Sequence, residues 1–79
     1  MIVNGYKIEP FADLVGVDFE GANLAGAILV GADLYGSNFK DADLEWANLE
    51  NANLKASNFK NANFKNSNLK GTILEGLKT

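Results

Sequence analysis

Residues 42–69 read ADLEW-ANLEN-ANLKA-SNFKN-ANFKN-SNL, a unit of five written almost without variation. The third residue of each unit is Leu or Phe, here called the centre, and centres extend in both directions from this stretch. They fall at 14, 19, 24, 29, 34, 39, 44, 49, 54, 59, 64, 69 and 74. Two places before each centre stands a compact residue: Ala12, Val17, Ala22, Ala27, Ala32, Ser37, Ala42, Ala47, Ala52, Ser57, Ala62, Ser67 or Thr72. One place before stands Asp or Asn in eleven of the thirteen units, the exceptions being Ile28 and Ile73. The two places after each centre are mostly polar, charged or Gly.

A period of five fits neither regular element. On a helix of 3.6 residues per turn the centres would spiral round every face. On a strand of period 2 an odd spacing would throw them onto alternate faces. One arrangement keeps every centre inside: the chain turns once per unit and coils around its own Leu and Phe. Asp, Asn and Gly are suited to such turns, because they tolerate unusual backbone angles or bond to nearby backbone groups. The phenylalanines indicate how many units close a coil. Phe19, Phe39 and Phe59 are spaced by 20, or four units. Coils stacked at about 4.8 Å would bring these rings into one column. The other columns are then Leu14–Leu34–Leu54–Leu74, Leu24–Leu44–Phe64 and Leu29–Leu49–Leu69.

The charges agree with that register. A spacing of 20 sets Glu20 beside Lys40, Glu45 beside Lys65, Glu50 beside Lys70 and Lys55 beside Glu75, with Lys40–Lys60 the one like pair. Each exposed pair is worth about 0.2–1 kcal/mol if it forms.

Tandem A-[D/N]-L-x-x units, here GANLA, GADLY, DADLE and NANLK, resemble the pentapeptide-repeat family. The resemblance covers residues 12–76 and implies an all-β fold: a right-handed quadrilateral β-helix of about three coils, with the compact residue and the centre pointing inward. Residues 1–11 are expected to be a short N-terminal cap, with Asn4-Gly5 as a turn and Pro10 as a boundary, and 77–79 a C-terminal tail. After Leu74 too little chain follows to cover the last coil, so Ile73, Leu74 and Leu77 are expected at an open end. In parts of the family that end forms a homodimer, and the same interface is expected here.

Composition narrows the function. The 79 residues include no Cys and no His, which removes disulfides, the usual general base and the commonest metal ligand. No Ser has a base to activate it. No catalytic residue, cofactor site or metal site is therefore assigned. The Asp and Asn ladder is read as local backbone bonding rather than a calcium site, since calcium-binding β-rolls use a nine-residue Gly-Asp period. Two Thr are too few for the Thr arrays of ice-binding solenoids. No stretch approaches the ~18 apolar residues of a membrane-spanning helix, and MIVNGYKIEP lacks the features of a secretory signal, so a soluble cytoplasmic protein is expected.

Residues 1–50 carry a net charge of −7 and residues 51–79 a net charge of +4. This polarity argues against a nucleic-acid partner. Val15, Val30, Tyr35 and Trp46 are expected on the outside, with Tyr35 and Trp46 on different faces. The reading is a non-enzymatic structural or protein-interaction module: a rigid rod displaying its surface to an unknown protein partner, or one segment of a longer repeat protein. The alternative implied by the family is a DNA-mimic inhibitor of a type II topoisomerase, which the lysines at 40, 55, 60, 65 and 70 oppose.

Overall fold

The computed structural model describes residues 1–79. Ten parallel bridges tie residues 20 apart, from Asp13↔Asp33 to Asn58↔Lys78, so one circuit of the chain takes four units. Each centre from Leu14 to Phe59 donates its N–H to the next circuit, as Leu14 does to Asp33 O at 2.8 Å. The Asp/Asn position donates back, as Asp33 does to Ala12 O at 2.9 Å. Each side of the square is too short for an extended ladder. The assigned strands are only β1 (Ile2–Val3) and β2 (Tyr6–Lys7).

Every corner is a four-residue turn that starts on a centre. Val17 N–H bonds Leu14 O at 3.3 Å, Ala22 bonds Phe19 at 3.0 Å, and the series continues to Leu77 on Leu74 at 3.1 Å. The third turn residue has positive φ throughout: Gly16 to Gly36 near 70°, Asp41 at 60°, Trp46 at 64°, Asn51 at 60° and Ala56 at 60°. That angle with that bond is the signature of a type II turn, which is why Gly and Asn recur there. The same geometry begins at Glu9–Ala12, with Pro10 in the position type II turns favour and Phe11 at φ 61°. At the other end Lys78 N–H bonds Ser57 O at 2.8 Å. The stacking register therefore takes in residues on both margins of 12–76.

All eleven Asp and Asn residues before the centres do one local job. Oδ1 accepts the N–H two residues on, from Val15 on Asp13 at 3.4 Å to Lys70 on Asn68 at 3.0 Å. Ile28 and Ile73 have no oxygen to offer there.

The interior holds the columns. Phe19 and Phe39 stack at 5.4 Å between ring centroids, and Phe39 and Phe59 at 4.8 Å. Leu14, Leu24, Leu29, Leu34, Leu44, Leu49 and Leu54 are buried around them, with the inward alanines between. Ser37 and Ser57 are buried too, and each hydroxyl donates to a carbonyl of the preceding circuit, Leu14 O and Leu34 O, at 2.7 Å.

At the N-terminal end β1 and β2 form an antiparallel hairpin across Asn4-Gly5, whose φ values of 53° and 82° match the type I′ turn that pair favours. The hairpin closes this end. Ile8 is buried, and Tyr6 sets its ring edge-on to Phe19 at 5.9 Å.

Two expectations need correction. The molecule is no rod: its extents are 27 × 24 × 22 Å, because the width of the square matches the height of the short stack. The spacing-20 charge pairs are neighbours along the stack, yet none closes within 4 Å; the one ion pair is Lys7–Glu9 at 3.5 Å. Neutral amides take the acids instead. Asn38 Nδ2 reaches both Asp18 Oδ1 (3.2 Å) and Glu20 Oε1 (3.3 Å), and Asn63 Nδ2 reaches Asp43 Oδ1 (3.3 Å) and Glu45 Oε2 (3.3 Å). Short amides fixed by the turn lose less side-chain freedom than lysines would.

Candidate functional site

The C-terminal end lacks what the hairpin supplies at the other end. There the last circuit surrounds an apolar depression of about 180 Å³, lined by Leu54, Phe59, Phe64, Leu69, Leu74, Leu77 and Thr79. The floor follows from the columns. Phe59, Phe64, Leu69 and Leu74 are the last member of each; Phe59 is still buried against Phe64, while no further layer covers the other three. Phe64 packs edge-on to Phe59 at 4.5 Å and remains half-buried, as does Leu69, while Leu74 is 44% exposed. Leu77, held by the Leu74–Leu77 turn, completes the lining.

Of the three residues expected at this end, the structure brings Leu74 and Leu77 together in the depression. Ile73 stands apart: it occupies the outward Asp/Asn position, bridged to Asn53, and is 50% exposed on the side of the stack. The reading from sequence placed Phe64 and Leu69 only in the core columns. Their half-exposure was legible in the same list, because the last member of a column has nothing below it.

The backbone of this end is also open. In every earlier circuit the N–H groups of the centre and of the positive-φ residue bond to the next circuit. Those of Asn61, Phe64, Asn66, Leu69, Gly71, Leu74 and Gly76 have no such acceptor. A ring of unpaired donors around an apolar floor is the kind of edge that pairs with another chain.

The rim is charged. Lys60, Lys65, Lys70 and Glu75 each follow a floor residue directly, stand at the four corners of the last circuit, and are exposed. None of the three lysines has a carboxylate within 4 Å. Elsewhere, Tyr35 and Trp46 lie on the turns 34–37 and 44–47, at opposite corners, and share no patch. No three metal-ligating side chains come together anywhere in the chain, and no helix is long and apolar enough to cross a membrane.

The comparisons with known proteins agree on the repeat. The family model described as pentapeptide repeats matches residues 11–41 and 37–76. A solved pentapeptide repeat protein from Nostoc Pcc 7120 is 32% identical over 86% of this chain, with a TM-score of 0.58. Another, from the Arabidopsis thaliana thylakoid lumen, is 29% identical over 90% of this chain, with a TM-score of 0.51. The chain spans 61% and 54% of the lengths of these two structures. No curated protein matches it. The unbroken five-residue register, the twenty-residue ladder and these matches together place the chain in the pentapeptide repeat family, whose members form right-handed β-helices.

Proposed function

We propose that the protein is a non-enzymatic interaction module that self-associates through its open C-terminal circuit. The observation that carries this reading is the difference between the two ends. The hairpin closes one with Tyr6 on Phe19, while the other leaves Phe64, Leu69, Leu74 and Leu77 partly exposed within a ring of unpaired N–H groups. A second copy laid end to end would cover the floor and supply carbonyls to the donors. Each buried Leu or Phe would contribute up to about 1.5–3 kcal/mol.

The test is solution mass by light scattering across a concentration series. The expected result is a rise from 8.5 kDa to twice that mass, reversed by Leu77→Lys, which sets an ammonium on the floor. A wild-type monomer at millimolar concentration would sink the reading. The DNA-mimic alternative gains little support. The longest extent, 27 Å, matches about eight base pairs at ~3.4 Å each, and lysines share the corners with the acids. Inhibition of gyrase supercoiling by the pure protein would revive it.

A further inference from the structure

We infer, resting on the open C-terminal circuit of the reading above, that the N-terminal hairpin is a plug: it covers the face of the first circuit that complements that open end, and when it is displaced copies of this chain join head to tail. Donors and acceptors assign the partner. The last circuit leaves its centre and positive-φ N–H groups unpaired, and the carbonyls of Ala62, Ser67, Thr72 and Leu77 accept nothing. The first circuit leaves the converse. No backbone N–H reaches the carbonyls of Asp13, Asp18, Asn23 and Ile28, nor those of Val15, Glu20 and Ala25. The N–H groups of Asp13, Asp18, Asn23 and Ile28 have no backbone acceptor. The hairpin covers this face without pairing with it. It is held by Tyr6 edge-on to Phe19, by the buried Ile8 and by one long bond, Asn4 Nδ2 to Asp18 O at 3.4 Å.

The ladder fixes the register of the joint. Between circuits a centre N–H bonds the carbonyl 19 residues on, and an Asp/Asn N–H the carbonyl 21 residues back. Set Pro10 of one copy directly beyond Thr79 of another, with the hairpin swung clear. The same rule then gives Phe64 N–H to Asp13 O, Leu69 to Asp18 O and Leu74 to Asn23 O, with Asp13 N–H returning to Ala62 O. Leu14, Phe19 and Leu24 cover Phe64, Leu69 and Leu74, and Glu20 falls beside Lys70. Charge favours the same orientation. Residues 12–31 carry Asp13, Asp18 and Glu20 with no lysine, whereas residues 60–79 carry Lys60, Lys65, Lys70 and Lys78 against Glu75. Lys40 behind Glu20, and Glu45 and Glu50 behind Lys65 and Lys70, temper that bias, so backbone pairing carries the specificity. Two C-terminal circuits face to face set donors largely against donors. While the hairpin is shut only they can meet, and association stops at two; a head-to-tail contact is heterologous and need not close.

The test is sedimentation of the full chain with its hairpin loosened. Ile8→Asp sets a carboxylate in the buried contact. Its mass should climb with concentration beyond twice 8.5 kDa, to about fourfold or more, where the wild type stops at two. Circular dichroism checks the fold. If Ile8→Asp does not fold, Gly5→Val takes its place, here and in the double variant below. A Cβ there meets nothing within 4 Å, but a β-branched residue at φ 82° strains the Asn4-Gly5 turn and leaves the first circuit intact. Direction is read from Ile8→Asp/Leu77→Lys, open at its first circuit and blocked at its last. Fluorescently labelled, it should be monomeric alone and double its mass when the wild type is added; Leu77→Lys with the hairpin intact should not. A folded open variant that stays at two, with a double variant that ignores the wild type, overturns the plug and leaves the C-terminal dimer standing. A monomeric wild type beside a growing open variant overturns that dimer and keeps the plug. Monomers throughout overturn both.

Discussion

Trp46 occupies a backbone position that most side chains avoid. At φ 64° it takes the slot that Gly fills at 16, 21, 26, 31 and 36, and its ring is 65% exposed, so packing returns little. Left-handed geometry costs a residue with a Cβ about 1–2 kcal/mol. Trp46→Gly should therefore stabilise the protein by about 1 kcal/mol, after the greater freedom Gly has in the unfolded chain is deducted. A higher urea midpoint with an unchanged slope would bear this out. Ile28 is the complementary case. It interrupts the Asp and Asn ladder, so no side-chain oxygen meets the N–H of Val30. Ile28→Asn restores that acceptor and should add about 0.5–1 kcal/mol, read from the same urea curve. The ladder was legible in the sequence because its bond spans only two residues. The strain at Trp46 was not: an outward position can be counted along the repeat, but a backbone angle set by its turn shows only in the fold.

The element of this structure is the column rather than the strand. Phe19, Phe39 and Phe59 stack between Tyr6 at one end and Phe64 at the other, both packed edge-on. Phe39 touches an aromatic ring on each side and is fully buried. Phe39→Leu should cost about 1–3 kcal/mol, since it removes two ring–ring contacts of ~0.5–1.5 kcal/mol each while keeping an apolar occupant. Thermal unfolding gives the measurement, and an unchanged melting temperature would count against the column as a source of stability. The Phe spacing made the columns and the circuit length readable, because a rigid ring has few ways to fit. The charge pairs were read in the right register yet do not close. Long flexible side chains have many ways to fit, and the amides of Asn38 and Asn63 reached the acids first.

At the scale of the molecule the sequence foretold two unlike ends but not their geometry. The hairpin could be anticipated from Asn4-Gly5; the edge-on contact of Tyr6 with Phe19 could not, because it joins segments with no shared period. The ladder joining residues 20 apart has a further consequence, for how such a chain can be inherited. A duplication or loss of one whole circuit leaves every surviving side chain in the column it already occupied. A change of a single unit keeps inside and outside but rotates everything downstream by one corner. Removing residues 47–51 would slide Phe59 beneath Leu34, out of line with Phe39; removing 42–61 would set Phe64 beneath Leu24, in the column it already occupies. The longer deletion should fold and melt as one transition, and the shorter should melt at a lower temperature despite keeping fifteen more residues. The unit of length whose gain or loss preserves the columns is the circuit, not the motif that the eye first finds.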